Sequence, residues 1–145
     1  METKLYLAYG SNLNKRQMAN RCPDAVSMGR VQIPGWVMRF SGVATIVPNN
    51  DRELGPLEAG LWKITERCEE ALDKYEGYPW LYHKKTINGF MTYIKNIDVI
   101  SPPSEAYFNS IRIGYEDFGL NIEHLYAAYY ETMMHPETGE LYDWV

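Results

Sequence analysis

Cysteine is scarce in this chain: Cys22 and Cys68 are the only two, and neither belongs to a CxxC pair. So wide a spacing points to two separate, reduced thiols in a soluble cytoplasmic protein, where each packs as an inert apolar residue. Histidine is scarce as well, with three residues. His83, His124 and His135 share no ligand spacing with the cysteines, so no metal site is expected. No run of Lys or Arg interrupts the balance of 14 basic against 19 acidic residues, a formal charge of -5. Nucleic acid and anionic membrane both need concentrated positive charge, so neither is an expected partner. The apolar run in "METKLYLAYG" is too short for a signal peptide, and no later stretch is long enough to span a bilayer. Repeats, low-complexity segments and linkers are missing too. Residues 1–145 therefore read as one domain.

What is present suits a packed core. Apolar residues make up 46% of the chain, which argues against disorder. Aromatics reach 14%, with 12 Tyr and 4 Trp, whose large bodies and polar tips serve a core or a pocket wall.

"KLYLAYG" reads as a buried strand. Asn14, with Gln17 three residues on, reads as the start of a helix that Pro23 stops near Cys22. "GRVQI" and "WVMRFSG" flank Pro34-Gly35 and are expected to form a hairpin. "VATIV" and "LEAGLWKI" are further strands. Thr65 then caps a second helix that runs to about Tyr75, closed by Gly77 and Pro79. Asn88-Gly89 joins "WLYHKKTI" to "FMTYIKN" and is the sharpest local signal, because the pair fits a type I′ hairpin turn. Ser104 opens a third helix with Tyr107, Ile111, Tyr115 and Phe118 on one face. Asn121 opens a fourth, with a stripe of Ile122, Leu125, Tyr126, Tyr129 and Tyr130; His124 is expected opposite it, in solvent. The tail "HPETGELYDWV" reads as irregular. Six or seven strands with four helices, not regularly alternating, indicate an α+β fold. The expected arrangement is a small, mostly antiparallel β-barrel with the helices packed outside.

One carboxylate is out of place. In the second helix Cys68, Ala71, Leu72 and Tyr75 form the apolar stripe, and Glu76, four residues after Leu72, neighbours it. Glu76 also sits in the last turn, where the helix dipole is negative. Dipole and partial burial both disfavour the charged form and raise the pKa, as a general base at neutral pH requires. Helical position alone leaves a solvated surface carboxylate open as the other reading.

The first strand ends in Gly10-Ser11-Asn12-Leu13. Gly10 can take a positive φ and lets a ligand approach the backbone. The amides of residues 10 to 13 are candidates for a concave anion site, with the Ser11 hydroxyl and the Asn12 amide beside them. Taken alone, the turn is also consistent with an ordinary strand–turn–helix connection. A nucleophilic role for Ser11 has little basis, since "GSN" lacks the GxSxG elbow and no histidine is placed to activate it.

Together these pieces resemble the gamma-glutamylcyclotransferases and their AIG2-like relatives. The resemblance rests on "LAYGSNL", "VATIV", "GLWKI", "LDKYEGYPWLY" and "SPPSEAYFNSIRIGYEDFGLNIEHL", in that order, and covers nearly the whole chain. It implies a barrel-like α+β fold with a cavity lined by Tyr9, Gly10, Ser11, Asn12 and Leu13, with Tyr82 nearby and Glu76 as the catalytic acid. It implies a small γ-glutamyl substrate whose own α-amine attacks the γ-carbonyl, releasing 5-oxoproline and an amine or amino acid. No cofactor, metal or covalent enzyme nucleophile is implied. A non-catalytic module holding a small carboxylate or a partner's tail in the same cavity is the competing expectation. The loop around Asp51 and the aromatic tail depart from the pattern, and choice of leaving group is expected to reside there.

Overall fold

The computed structural model describes residues 2–51 and 53–134. The tail "HPETGELYDWV", including His135, lies outside the described residues.

Strand β1 (Thr3–Ala8) is the centre of the sheet. It pairs antiparallel with β5 (Leu57–Thr65), from Thr3 opposite Thr65 to Ala8 opposite Gly60. On its other side it runs parallel to β7 (Phe90–Lys95), with Tyr6 opposite Met91. The outer positions go to β2 (Val26–Ile33) beside β5 and β6 (Tyr82–Ile87) beside β7. Covered on both faces, β1 buries three consecutive residues, Tyr6, Leu7 and Ala8, as its continuous apolar run implies. The β6–β7 connection takes positive φ at both Asn88 (52°) and Gly89 (84°), the geometry that a type I′ turn needs.

The remaining strands, β3 (Trp36–Ser41) and β4 (Val43–Pro48), form a separate two-stranded ribbon. Among the described residues the fold is thus α+β with seven strands and four α-helices, but strand pairing builds two sheets and does not close into the expected barrel. Side chains take the place of the missing ladder. Thr45 Oγ1 accepts from the Lys95 N–H at 3.0 Å, and Lys95 Nζ donates to the Ser41 carbonyl at 3.0 Å. The expected hairpin across Pro34-Gly35 does not form either. β5 takes the pairing edge of β2 and β4 that of β3, so Pro34-Gly35 carries the chain from one sheet to the other.

Three of the α-helices begin where a capping side chain stands. Asn14 caps α1 (Lys15–Arg21), Thr65 caps α2 (Glu66–Glu76) and Ser104 caps α3 (Glu105–Phe118). Each accepts from the N–H three residues on, a bond that typically contributes about 1 kcal/mol. Helix α4 (Ile122–Met134) differs from expectation. Its buried face is His124, Leu125, Ala128 and Thr132, while Tyr130 is 59% exposed. His124 turns inward, where burial lowers its pKa and keeps the ring neutral, and Nε2 receives the Met38 N–H at a long 3.5 Å. Tyr126 and Tyr129 pack instead against Phe108 of α3.

Cys22, the C-cap of α1, is disulfide-bonded to Cys68 in the first turn of α2, with Cα atoms 4.9 Å apart. The reading of two separate reduced thiols is therefore corrected: 46 residues of sequence separate them, but the two helices meet there.

Candidate active site

Three elements converge at the C-terminal end of β1. Beyond Ala8 the chain turns through Tyr9 and Gly10 into a single 3-10 turn, Ser11–Leu13. Gly10 has φ -120°, so the expected positive φ is not why glycine stands there. The reason is space. A Cβ on Gly10 would lie 3.1 Å from the Ala44 Cβ and 3.5 Å from the Tyr107 hydroxyl. The expected run of free amides is also shortened, since the Leu13 N–H donates to the Gly10 carbonyl at 3.0 Å. Leu13 itself is fully buried and packs toward Gly114 of α3, so it belongs to the core and not to the cavity wall.

Helix α2 brings the acid. Cys68 and Leu72 sink into the core, and Lys84 of β6 pins the polar flank by bridging Glu69 at 2.7 Å and Asp73 at 2.9 Å. Lys4 of β1 reaches Glu69 at 2.7 Å. Gly77, in the left-handed region at φ 68°, ends the helix directly after Glu76. Tyr75, expected in the apolar stripe, is instead 44% exposed.

Tyr9, Gly10, Ser11, Asn12, Glu76 and Tyr82 all line one cavity of about 160 Å³, joined by Tyr6, Tyr75 and Tyr107. The glycine turn and the acid are bonded across it. Asn12 Nδ2 donates to Glu76 Oε1 at 3.2 Å and to the Tyr6 hydroxyl at 2.8 Å. Burial pushes the Glu76 carboxyl up to about 7; the nearby Arg21 charge and the Asn12 hydrogen bond pull the other way and do not cancel it. Near neutral pH this group can both take and return a proton.

The other polar groups are mostly committed. The Tyr9 hydroxyl donates to the Tyr93 carbonyl, and the Tyr82 hydroxyl donates to the Ala44 carbonyl at 2.7 Å. Burial raises both phenol pKa values, so these rings are neutral walls. The Tyr107 hydroxyl receives the Ala44 N–H at 3.0 Å. Ser11 Oγ lies 3.1 Å from the Tyr75 hydroxyl, and among the described residues no histidine lines the cavity to activate it.

Sequence reasoning missed Tyr6, Arg21, Tyr75 and Tyr107 as parts of this site. A signal existed for Tyr6, since a tyrosine inside a fully buried strand needs a partner for its hydroxyl. Nothing local marks Arg21, whose position reads only as a cation in the last turn of a short helix.

A central strand thus runs into a glycine turn that is faced, across a hollow, by a helix-borne acid of raised proton affinity. The family model for gamma-glutamyl cyclotransferase, AIG2-like, matches residues 6–107, and the chain belongs to that family. Similar solved structures include one described as a gamma-glutamyl cyclotransferase, with TM-score 0.72 and 23% identity over 88% of this chain and 86% of that one. A human protein, loc79017, follows with TM-score 0.70 and 22% identity over 88% of this chain and 87% of that one. YkqA from Bacillus subtilis has TM-score 0.71 and 20% identity, covering 88% of this chain and 53% of its own. At these identities the likeness concerns the fold. No curated protein matches the chain.

Proposed function

We propose that the protein is a cyclotransferase that cleaves a γ-glutamyl amide without water, releasing 5-oxoproline and an amine or amino acid. The observation that carries this reading is the Asn12–Glu76 hydrogen bond, which sets the acid against the glycine turn inside one cavity. An α-ammonium is no nucleophile, so the reaction begins when the Glu76 carboxylate takes a proton from it. The freed amine attacks the γ-carbonyl carbon and closes a five-membered ring. Glu76 gives the proton it holds to the leaving nitrogen as the γ C–N bond breaks; the regenerated carboxylate takes the ring nitrogen's second proton and passes it to the departing amine, which leaves as an ammonium, so that Glu76 ends as it began. One carboxyl thus acts as base and then as acid. Nucleophile and carbonyl belong to one molecule, so holding the glutamyl group folded supplies much of the rate. Tyr9 and Tyr82, locked to backbone carbonyls, are suited to that shaping, and residues 10 to 12 to receiving the substrate's carboxylate or the developing oxyanion.

The test is 5-oxoproline release from a panel of γ-glutamyl amines and γ-glutamyl amino acids. Glu76→Gln is expected to lower turnover by at least about a hundredfold with its circular dichroism unchanged. Full turnover in a folded Glu76→Gln protein overturns the role given to Glu76. Binding of glutamate or 5-oxoproline with no turnover anywhere in the panel favours the non-catalytic reading.

A further inference from the structure

A side chain outside the cavity wall holds the hydrogen bond on which the site depends. Arg21, the last residue of α1, donates from Nη1 to Asn12 Oδ1 at 2.7 Å and from Nη2 to Gln17 Oε1 at 2.7 Å. Its guanidinium carbon lies over the Tyr75 ring, 3.6 Å from the centroid, and Tyr75 immediately precedes Glu76 on α2. A primary amide has two ends, one accepting and one donating. With the guanidinium on Oδ1, the Asn12 NH2 group is left to face Glu76 Oε1 and the Tyr6 hydroxyl. If the amide were reversed, Oδ1 would face the carboxyl, and only protonated Glu76 could bond to it.

We propose that Arg21 is a positioning residue for Glu76: it clamps the Asn12 amide with its donor end toward the carboxylate and stacks on the neighbouring tyrosine, so that Glu76 is presented as a proton acceptor. The proposal rests on the acid–base role given to Glu76 above. Among the described residues, the titratable groups around Glu76 are Tyr6 from β1, Tyr9 beyond its end, Tyr75 beside it on α2, Tyr82 from β6, Tyr93 from β7 and Tyr107 from α3, with Arg21 from α1 behind Asn12. Burial raises the pKa of Tyr6, Tyr9, Tyr82, Tyr93 and Tyr107 and keeps those phenols neutral, and among the described residues the Arg21 charge is the one that pulls the Glu76 value down. The planar fork matters as well as the charge. A lysine ammonium keeps the charge but cannot bond Asn12 and Gln17 together while lying over a ring.

The experiment is a ¹³C carboxyl NMR titration of Glu76, assigned with Glu76→Gln, in the wild type, Arg21→Met and Arg21→Lys, alongside pH profiles of kcat/KM. In Arg21→Met the Glu76 midpoint is expected to rise by about one pH unit. The acid limb of kcat/KM moves with it, so activity falls roughly fivefold at pH 7 and returns at pH 9. Arg21→Lys shows a smaller rise of the same sign, and decides the matter if Arg21→Met does not fold. An unmoved midpoint in a folded variant overturns the proposal, as does an activity loss equal at every pH. If no γ-glutamyl compound is turned over, the NMR titration still reads the effect of Arg21, so failure of the enzyme reading and failure of this one are told apart.

Discussion

Glu76 is expensive to the folded state, and the sign of that cost is measurable. Its folded value near 7 stands above the usual 4.5, so between these two the folded protein holds a proton that the unfolded chain releases. Stability from this group is complete below about pH 4.5 and is lost as pH rises through 7, by about 3 kcal/mol in all. Glu76→Gln removes the charge and keeps the volume. Urea unfolding is expected to find it about 3 kcal/mol more stable than wild type at pH 8 and nearly equal at pH 4. Equal stability at pH 8 would mean that the carboxylate is solvated. Glu76 was legible beforehand only in part: four residues from Leu72 and in the last turn, it neighbours the buried face, but helical position alone left a solvated carboxylate open. Leu13 and His124 were not legible. Leu13 follows four lining residues, Tyr9 to Asn12, but the 3-10 turn rotates it into the core; His124 is pulled inward by contacts from β3, a strand 86 residues earlier.

At the level of elements, local chemistry was a good guide to where helices start and a poor one to which strands pair. Asn14, Thr65 and Ser104 each bond an N–H within three residues, so those starts are written into short stretches. The Asn88-Gly89 turn is equally local. Pairing of β2 with β5 is not, because it depends on which edge is free once β1 has taken the other side of β5. Helix α3 shows how one element positions another. Gly114 lies where an added Cβ would come within 2.6 Å of Leu13 Cβ and 2.7 Å of the Asn14 nitrogen. Gly114→Ala therefore has to push the glycine turn off α3. The expected result is a loss of about 2 kcal/mol in denaturant unfolding together with reduced kcat/KM, because Asn12 moves with the turn. Unchanged stability would mean that the helix and turn separate freely.

Across the whole molecule, the disulfide and the cavity depend on the same packing of α1 and α2. Cys22 is next to Arg21, and Cys68 stands in the first turn of the helix that ends at Glu76, so the bond ties together the two helices that supply both charges of the site. Thiol titration of the unfolded, unreduced protein is expected to find no free cysteine. The double substitution Cys22→Ser with Cys68→Ser is expected to lower unfolding free energy by about 2–4 kcal/mol. Two free thiols, or a reduced protein of undiminished stability, would count against the bond. The sequence by itself determined the α+β class, the capped helices, the hairpin at Asn88-Gly89 and the suspicion attached to Glu76, all of which follow from periodicity and short-range bonding within a few residues. Tertiary structure alone decided that the strands form a sheet and a ribbon instead of a barrel, that Cys22 meets Cys68, and that Arg21 reaches Asn12 beside Glu76. Contacts between segments dozens of residues apart arise from competition among edges and faces for burial, and that competition leaves no local trace in the order of residues.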